Sequence, residues 1–369
     1  MLGHQCSSCV RLDSILYFLQ MPDNIIAISD LHLGAPSSLL SLSSVKKRLI
    51  EVLLNFKGTT YFILLGDILD LTIAPNANAW IDARRFFHDV FKQFIPDRIY
   101  YVPGNHDHHV WTMLIEQRDI VSPLKGFLGD QSDTSRPVTT LLPLQLTGSF
   151  RPEDNTFFHA LFPLSARNKL HIVYPTLTLP CGERPLIAHH GHYFDPQIMP
   201  LAKWAAAKYK KEEKVEEFNF AYVDSLFYFL SLGRLSKEFL KTTYTYYETI
   251  LHYFSKSIGY KIFKRPVNYM SDISSGRIID MLKNLCEHNS YILIFGHTHK
   301  RHIYLNKMKT IKIYNTGGWL VEDWNSSKPH ATPAIFFAQG GVPNLTIFKI
   351  DENEIKIAAE KAKNVSPIR

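Results

Sequence analysis

Apolar runs of four or five residues recur along this chain, and five of them stop abruptly at polar residues of one restricted kind. The runs are Ile25–Ser29, Tyr61–Leu65, Ile99–Val102, Pro185–Ala188 and Tyr291–Phe295. They are continuous rather than alternating, the pattern of strands covered on both faces. Between the first three lie Ser41–Phe56 and Ala79–Phe94, whose apolar positions have helical spacing and suit crossovers between parallel strands. The order up to Asp107 is therefore strand, helix, strand, helix, strand. Gln131–Pro152, punctuated by Pro137, Pro143 and Pro152, reads mostly as loop. Leu170–Tyr174 and Leu186–Ala188 are expected to be neighbouring strands, with a turn at Pro180-Cys181-Gly182. Further strands are expected at Thr310–Tyr314, Ala334–Ala338 and Asn344–Ile350. No internal repeat or low-complexity segment interrupts this order.

Tyr193–Ser290 has a different character. Gly and Pro almost disappear between Lys203 and Ile258, and Lys203–Phe220 and Asp224–Phe254 read as helical. Aromatic residues are dense there. Twelve Lys/Arg face seven Asp/Glu between Lys203 and Pro266, so most of the net charge of +7 sits in this region. The expected organisation is an extension at 1–23, a core at 24–192 and 291–350, a helical insertion at 193–290 and a tail at 351–369.

Composition narrows the class without naming an activity. At 369 residues, 46% hydrophobic and 20% charged, the chain can bury a large core as an ordinary globular protein. No run approaches the roughly 18 apolar residues of a membrane-spanning helix. Arg11, Asp13 and Gln20 interrupt the N-terminal apolar stretch, so no signal peptide is read and a cytoplasmic location is expected. Cys6 and Cys9 form a C-x-x-C pair beside His4, but Cys181 and Cys286 are isolated, so a zinc site lacks its second ligand pair. These are read as ordinary thiols.

The chemistry lies where the five runs end. They lead into Asp30-Leu-His32, Gly66-Asp67-Ile-Leu-Asp70, Gly104-Asn105-His106-Asp107, His189-His190-Gly-His192 and Gly296-His297-Thr-His299. The carboxyl ends of strands in an α/β sheet gather along one edge, where ligands bind. Five such ends would pool Asp, Asn and His from distant parts of the chain. Burying that many polar groups without a cation would be costly. Oxygen and imidazole donors without thiolate suit Mn²⁺, Fe or Zn²⁺. Gly66, Gly104 and Gly296 stand at sharp strand exits, where an unusual φ or a close backbone approach favours a missing Cβ.

Together, and in this order, the five segments resemble the calcineurin-like metallophosphoesterase superfamily, whose pattern is D-x-H, G-D-x-x-D, G-N-H-D, a histidine, and G-H-x-H. The resemblance implies a four-layer α/β/β/α sandwich with a helical lid inserted near 193–290. It implies two divalent metal ions, with Mn²⁺ as first choice. Asp30, His32, Asp67 and His299 would hold one; Asp67, Asn105, His190 and His297 would hold the other. Asp67 would bridge, with one oxygen for each ion. A metal-bridging hydroxide would attack phosphorus, His106 would serve the leaving oxygen, Asp70 would orient His106, and Asp107 would brace the loop. His189 competes with His190 for the fourth ligand position, and His192 is a candidate substrate contact.

The insertion and the phrase His190-Gly-His-Tyr-Phe-Asp195 are similar to the branch containing the UDP-2,3-diacylglucosamine pyrophosphohydrolases of lipid A synthesis. That implies a phosphorylated small-molecule or lipid-linked pyrophosphate substrate and peripheral membrane contact through the lid. Two other readings stay open. One is a cyclic-nucleotide phosphodiesterase or nuclease, although the basic residues form no stripe and no nucleic-acid motif accompanies them. The other is a non-catalytic scaffold on the same fold, against which the intact ligand set argues.

Overall fold

An unbroken apolar run needs cover on both faces, and the first strands have it. In the computed structural model the described residues are 21–72, 76–118, 147–150, 156–194, 199–211, 214–217, 220, 278–279, 281–282 and 290–365. Strands β1 (Asn24–Ile28), β2 (Thr60–Leu65) and β3 (Arg98–Val102) lie parallel, with β1 and β2 buried along their whole length. Helices α1 (Ser43–Leu53) and α2 (Asn76–Phe91) are the expected crossovers between them. Helix α3 (His108–Glu116) follows β3. β4 (Gly148–Phe150), the short helices α4 (Thr156–His159) and α5 (Leu164–Arg167), and β5 (Leu170–Tyr174) come next.

The chain then builds a second sheet. It runs through β6 (Thr176–Cys181), β7 (Arg184–His189), helix α6 (Met199–Tyr209), β8 (Tyr291–Phe295), β9 (His302–Leu305) and β10 (Ile311–Asn315). Strands β11 (Ala334–Gln339) and β12 (Val342–Ile347) return to the first sheet, and α7 (Glu352–Val365) follows them. The strand orders are β12-β11-β1-β2-β3-β5-β4 and β6-β7-β8-β10-β9, and both sheets are mixed.

Three apolar layers hold four layers of structure. Ile25, Ala27, Ile63 and Val102 of the first sheet meet Leu186, Ala188, Ile292 and Ile294 of the second. Alternate residues of the same strands, such as Ile26, Ile28, Phe62 and Leu64, point outward to α1, α2, α3 and α7. On the far side, Ile187, Leu293 and Ile313 pack against Ala205, Ala206, Val215, Ile278 and Met281. The result is the α/β/β/α sandwich. Among the described residues, no helix is long and apolar enough to cross a membrane.

Several local expectations need correction. β5 and β7 are not neighbours: β5 pairs with β3 in the first sheet, and the chain changes sheets at Pro175 before β6 pairs with β7. Pro180 and Cys181 belong to β6 rather than to the turn, which lies at Gly182–Glu183. Proline is tolerated there because β6 is an edge strand. The exposed edge strand β9 carries no buried run and gave no signal. The expected tail contains α7, whose Ala358 and Ala359 are buried against the first sheet's helices. Most described parts of 193–290 form the outer layer on the second sheet, while Phe220 packs against the first sheet's cluster beside His108 of α3; the remainder of the expected lid, and Cys6, Cys9 and Cys286, lie outside the described residues.

Candidate metal centre

Register brings the ligand segments level. Ile28 pairs with Leu64, and Leu65 with Val102, so the exits of β1, β2 and β3 stand side by side. In the second sheet Ala188 pairs with Ile294, and the Gly296 N–H donates to the His190 carbonyl at 2.8 Å. The two rows of strand ends face one another across the inter-sheet core.

The chain turns sharply at these exits. Eight non-glycine residues among those described have positive φ, and five are Asp30 (53°), His32 (47°), Asp67 (51°), His297 (67°) and His299 (53°). Such backbones cost roughly 1–3 kcal/mol each and persist only where surroundings over-determine them. Here the surroundings do so. Asp107 accepts from the backbone N–H groups of Gly104 (2.6 Å), Ile68 (2.9 Å) and Asp67 (3.3 Å), and from the Tyr101 hydroxyl. Asp30 accepts from the His297 N–H at 2.9 Å and from the Ser29 hydroxyl. Gly66 has φ +76°, and a Cβ there would sit 2.2 Å from His190 Nδ1. At Gly296 the obstacle is Asp30 Oδ2, 2.1 Å away.

Two donor clusters among the described residues share Asp67, and a third groups His32, Asp70 and His106. The first groups Asp30, His32, Asp67 and His299; the second groups Asp67, His190 and His297. Asn105 completes the second, its Oδ1 standing 3.1 Å from His190 Nε2 and 2.9 Å from His297 Nδ1. Asp67 Oδ2 lies 3.2 Å from His190 Nε2 and 3.9 Å from His32 Nε2, so one oxygen faces both clusters. Its Oδ1 instead accepts the His106 N–H at 2.8 Å. The expected division of one oxygen per cluster is therefore not what the geometry has.

The imidazoles are oriented from behind. His32 Nδ1 meets Asp70 Oδ2 at 3.3 Å, His190 Nδ1 meets the Leu65 carbonyl at 3.1 Å, and His299 Nδ1 meets Glu322 Oε1 at 2.9 Å. Each of these partners only accepts, so each ring holds a proton at Nδ1 and directs Nε2 into its cluster. The Nε2 atoms of His32 and His299 then stand 3.0 Å apart. That spacing needs a positive charge against the two nitrogens, a proton in the metal-free chain or a divalent ion in its place, so this donor set fits such an ion.

The electrostatics agree. Burial opposes protonation of His299, yet the hydrogen bonds and charges of Asp30 and Glu322 push it up to about 10. Burial likewise opposes protonation of His190, but Asp67 pushes it up to about 9. Burial alone would raise Asp67, but the His190 and His106 charges hold it well below the usual carboxylate range. A field that binds protons this strongly binds cations too.

His106 stands beside the first cluster, its ring centroid 4.8 Å from that of His32 and its side chain 17% exposed. Its Nδ1 lies 3.4 Å from Asp70 Oδ1 and 2.5 Å from the Thr72 hydroxyl. Burial lowers its proton affinity, but the Asp67 charge and the Asp70 contacts outweigh this and raise it above the ordinary histidine value. Of the fourth segment, His190 joins the cluster. His189 packs its ring 4.3 Å from that of Tyr193, and its Nδ1 accepts the Gly191 N–H. His192 is buried, with Nε2 3.3 Å from the Tyr174 hydroxyl. Burial, and then the neighbouring histidine charges, keep both well below the usual histidine range. Glu322 and Thr72 escaped sequence reasoning. Glu322 lies outside every ligand segment, and only Thr72's place two residues after Asp70 hinted at a role.

A model of the family described as calcineurin-like phosphoesterase matches residues 24–301. The chain matches no curated protein. Among solved structures, vacuolar protein sorting 29 from Cryptosporidium parvum is similar at 12% identity and a TM-score of 0.33, over 90% of this chain and 100% of that one. Phosphopantetheinyl hydrolase from Mycobacterium tuberculosis is similar at 12% identity and a TM-score of 0.29, over 89% of this chain and 97% of that one. Likenesses of this size weigh nothing beside the family match. That match spans all five segments that meet in the two donor clusters, and the chain belongs to the calcineurin-like phosphoesterase family.

Proposed function

We propose that this protein is a dinuclear-metal phosphoester hydrolase. The observation that carries the reading is Asp67, a buried carboxylate with one oxygen directed at two separate sets of donors. Asp30, His32, Asp67 and His299 would hold one ion, and Asp67, Asn105, His190 and His297 the other. Two divalent cations bound there supply charge neutralisation for phosphoryl oxygens and an activated water for in-line attack on phosphorus.

The chain's own residues do the rest. His106, whose proton affinity the Asp67 and Asp70 carboxylates raise, would donate to the leaving oxygen. Asp70 orients two imidazoles at once, His32 through Oδ2 and His106 through Oδ1, tying the acid to the first ion's ligand. Asp107 keeps the Gly104–Asp107 turn closed on the β2 exit, so Asn105 and His106 hold their positions relative to Asp67.

For the substrate, the finer reading is a lipid-linked or nucleotide-sugar pyrophosphate such as UDP-2,3-diacylglucosamine. It rests on the phrase His190-Gly-His-Tyr-Phe-Asp195 and on the aromatic, basic insertion. In the described part of that insertion, Lys208 lies 4.9 Å from the ring centre of Trp204 and 5.1 Å from that of Tyr209. Both rings are partly exposed, as a surface for apolar and phosphate-bearing ligands would need. The test is to measure bound metal by mass spectrometry, then to screen loaded protein against UDP-diacylglucosamine, monoesters, aryl diesters, cyclic nucleotides and single-stranded DNA. Metal-dependent hydrolysis of any ester supports the hydrolase. Turnover of cyclic nucleotide or DNA in preference to pyrophosphate would replace the finer reading. Loaded protein that cleaves none would leave the scaffold reading.

A further inference from the structure

The hairpin that follows the last ligand segment carries a surface that the hydrolytic centre does not explain. Between Gly296 and Asn315 there is no Asp or Glu, while Lys300, Arg301, Lys307 and Lys309 are all exposed. Set among them are exposed apolar side chains: Ile303 (53%), Leu305 (43%) and Met308 (80%). Ile303 and Leu305 are two residues apart on β9, so they share one face of this edge strand. Met308 stands at the turn between two lysines.

The turn is firmly built. The Lys309 N–H donates to the Asn306 carbonyl at 2.9 Å, and Asn306 Oδ1 accepts the Ile311 N–H at 2.9 Å. Asn306 Nδ2 donates to the Thr310 hydroxyl at 2.8 Å, and Arg184, at the start of β7, donates to the Lys309 carbonyl at 2.9 Å. Lysines on an edge strand can simply deter pairing. That accounts for neither the two lysines in the turn nor an exposed methionine held between them.

We propose that this hairpin docks the chain onto an anionic lipid bilayer. Its cations meet acidic headgroups, while Met308, Ile303 and Leu305 enter the boundary of the acyl region. Nucleic acid would use the cations and leave three apolar side chains unexplained. From Lys300 at the ligand edge the chain runs through β9 to a turn that stands level with Tyr291 at the opposite end of the sheet, so only a bilayer lying along the whole strand reaches the ligand edge as well. The consequence that phosphoesters are drawn from the bilayer surface rests on the hydrolase reading above; the docking itself does not.

The test uses the full chain with vesicles of phosphatidylcholine alone and of phosphatidylcholine mixed with phosphatidylglycerol. Sedimentation should show binding to the mixed vesicles that weakens with salt. Each surface lysine contributes about a fivefold gain, so Lys307→Gln with Lys309→Asn should lower partitioning about 25-fold. Asn is chosen because Lys309 has φ +56°. A Met308→Trp variant should show a blue-shifted emission, relative to native protein, on mixed vesicles only. Circular dichroism confirms that the variants fold. Unchanged partitioning of the double variant, or an introduced indole that stays in water, overturns the proposal. So does loss of single-stranded DNA binding in the double variant while vesicle binding persists. A chain that binds vesicles but hydrolyses no ester would sink the proposed function and leave this inference standing.

Discussion

His299 donates its Nδ1 proton to Glu322 at 2.9 Å, and the ring is thereby turned so that Nε2 faces the first donor cluster. Glu322 is held below its ordinary range: burial would raise it, but the His299 hydrogen bond and charge prevail. An ionised carboxylate behind a ligand fixes the tautomer and strengthens the donor. Glu322→Gln should therefore weaken metal binding about 10- to 100-fold. Calorimetric titration with Mn²⁺ should show this loss in the tighter or weaker of two sites, with the other retained. Unchanged affinity at both would mean that Glu322 is only a surface partner.

Asp67→Asn removes the charge that both clusters share. Metal content should fall to near zero, and hydrolysis of an aryl phosphodiester should vanish. The far-ultraviolet circular dichroism should be unaltered, because the strands are held by the apolar layers and not by this carboxylate. Retention of two ions in this variant would contradict the bridging role.

His106→Asn should lower turnover about 10²- to 10⁴-fold while leaving bound metal in place. The pH dependence follows from its raised proton affinity. The protonated form acts, so kcat should fall as pH rises through the His106 pKa. Asp70 is one of the groups that raise it, so Asp70→Asn should move this alkaline limb to lower pH. A limb that stays put in that variant would remove His106 as the acid.

Helix α7 is tied to α1 by a carboxylate. Glu354 accepts from Arg48 at 2.7 and 3.1 Å, from the Ser44 hydroxyl at 2.6 Å, and from the Asp351 N–H at the helix start. Burial would raise Glu354, but the Arg48 and Ser44 hydrogen bonds hold it below its usual range. Its stabilisation is thus fully present above the unfolded glutamate pKa and is lost as pH falls through the lower folded value. Glu354→Gln should cost about 1–2 kcal/mol in urea unfolding near neutral pH, with Arg48 partly screened by solvent. The difference from native protein should shrink in acid. An equal difference at both pH values would assign the effect to packing.

Much of this was readable in advance because a buried parallel strand leaves a local trace. Ile25–Ser29, Tyr61–Leu65 and Tyr291–Phe295 are continuous apolar runs, and the residues that end them are the ones that meet in space. Where strands lie at an edge, the trace is weak. β9 is mostly exposed and went unnoticed; β6 includes Pro180, which read as a turn. Helix α7 hid in a polar tail, because only a narrow stripe at Ala358, Ala359 and Ala362 is buried.

The one-dimensional pattern by itself determined which residue types could carry the chemistry, the strand ends they occupy and the family to which they point. It could do so because those residues are adjacent to the strands that position them. Only the tertiary structure set His190 rather than His189 among the clustered donors, directed one Asp67 oxygen at both clusters, and brought Glu322 behind His299. Those outcomes depend on strand register and on left-handed turns at β-strand exits. They bring together side chains far apart in the chain, and no local spacing encodes the meeting.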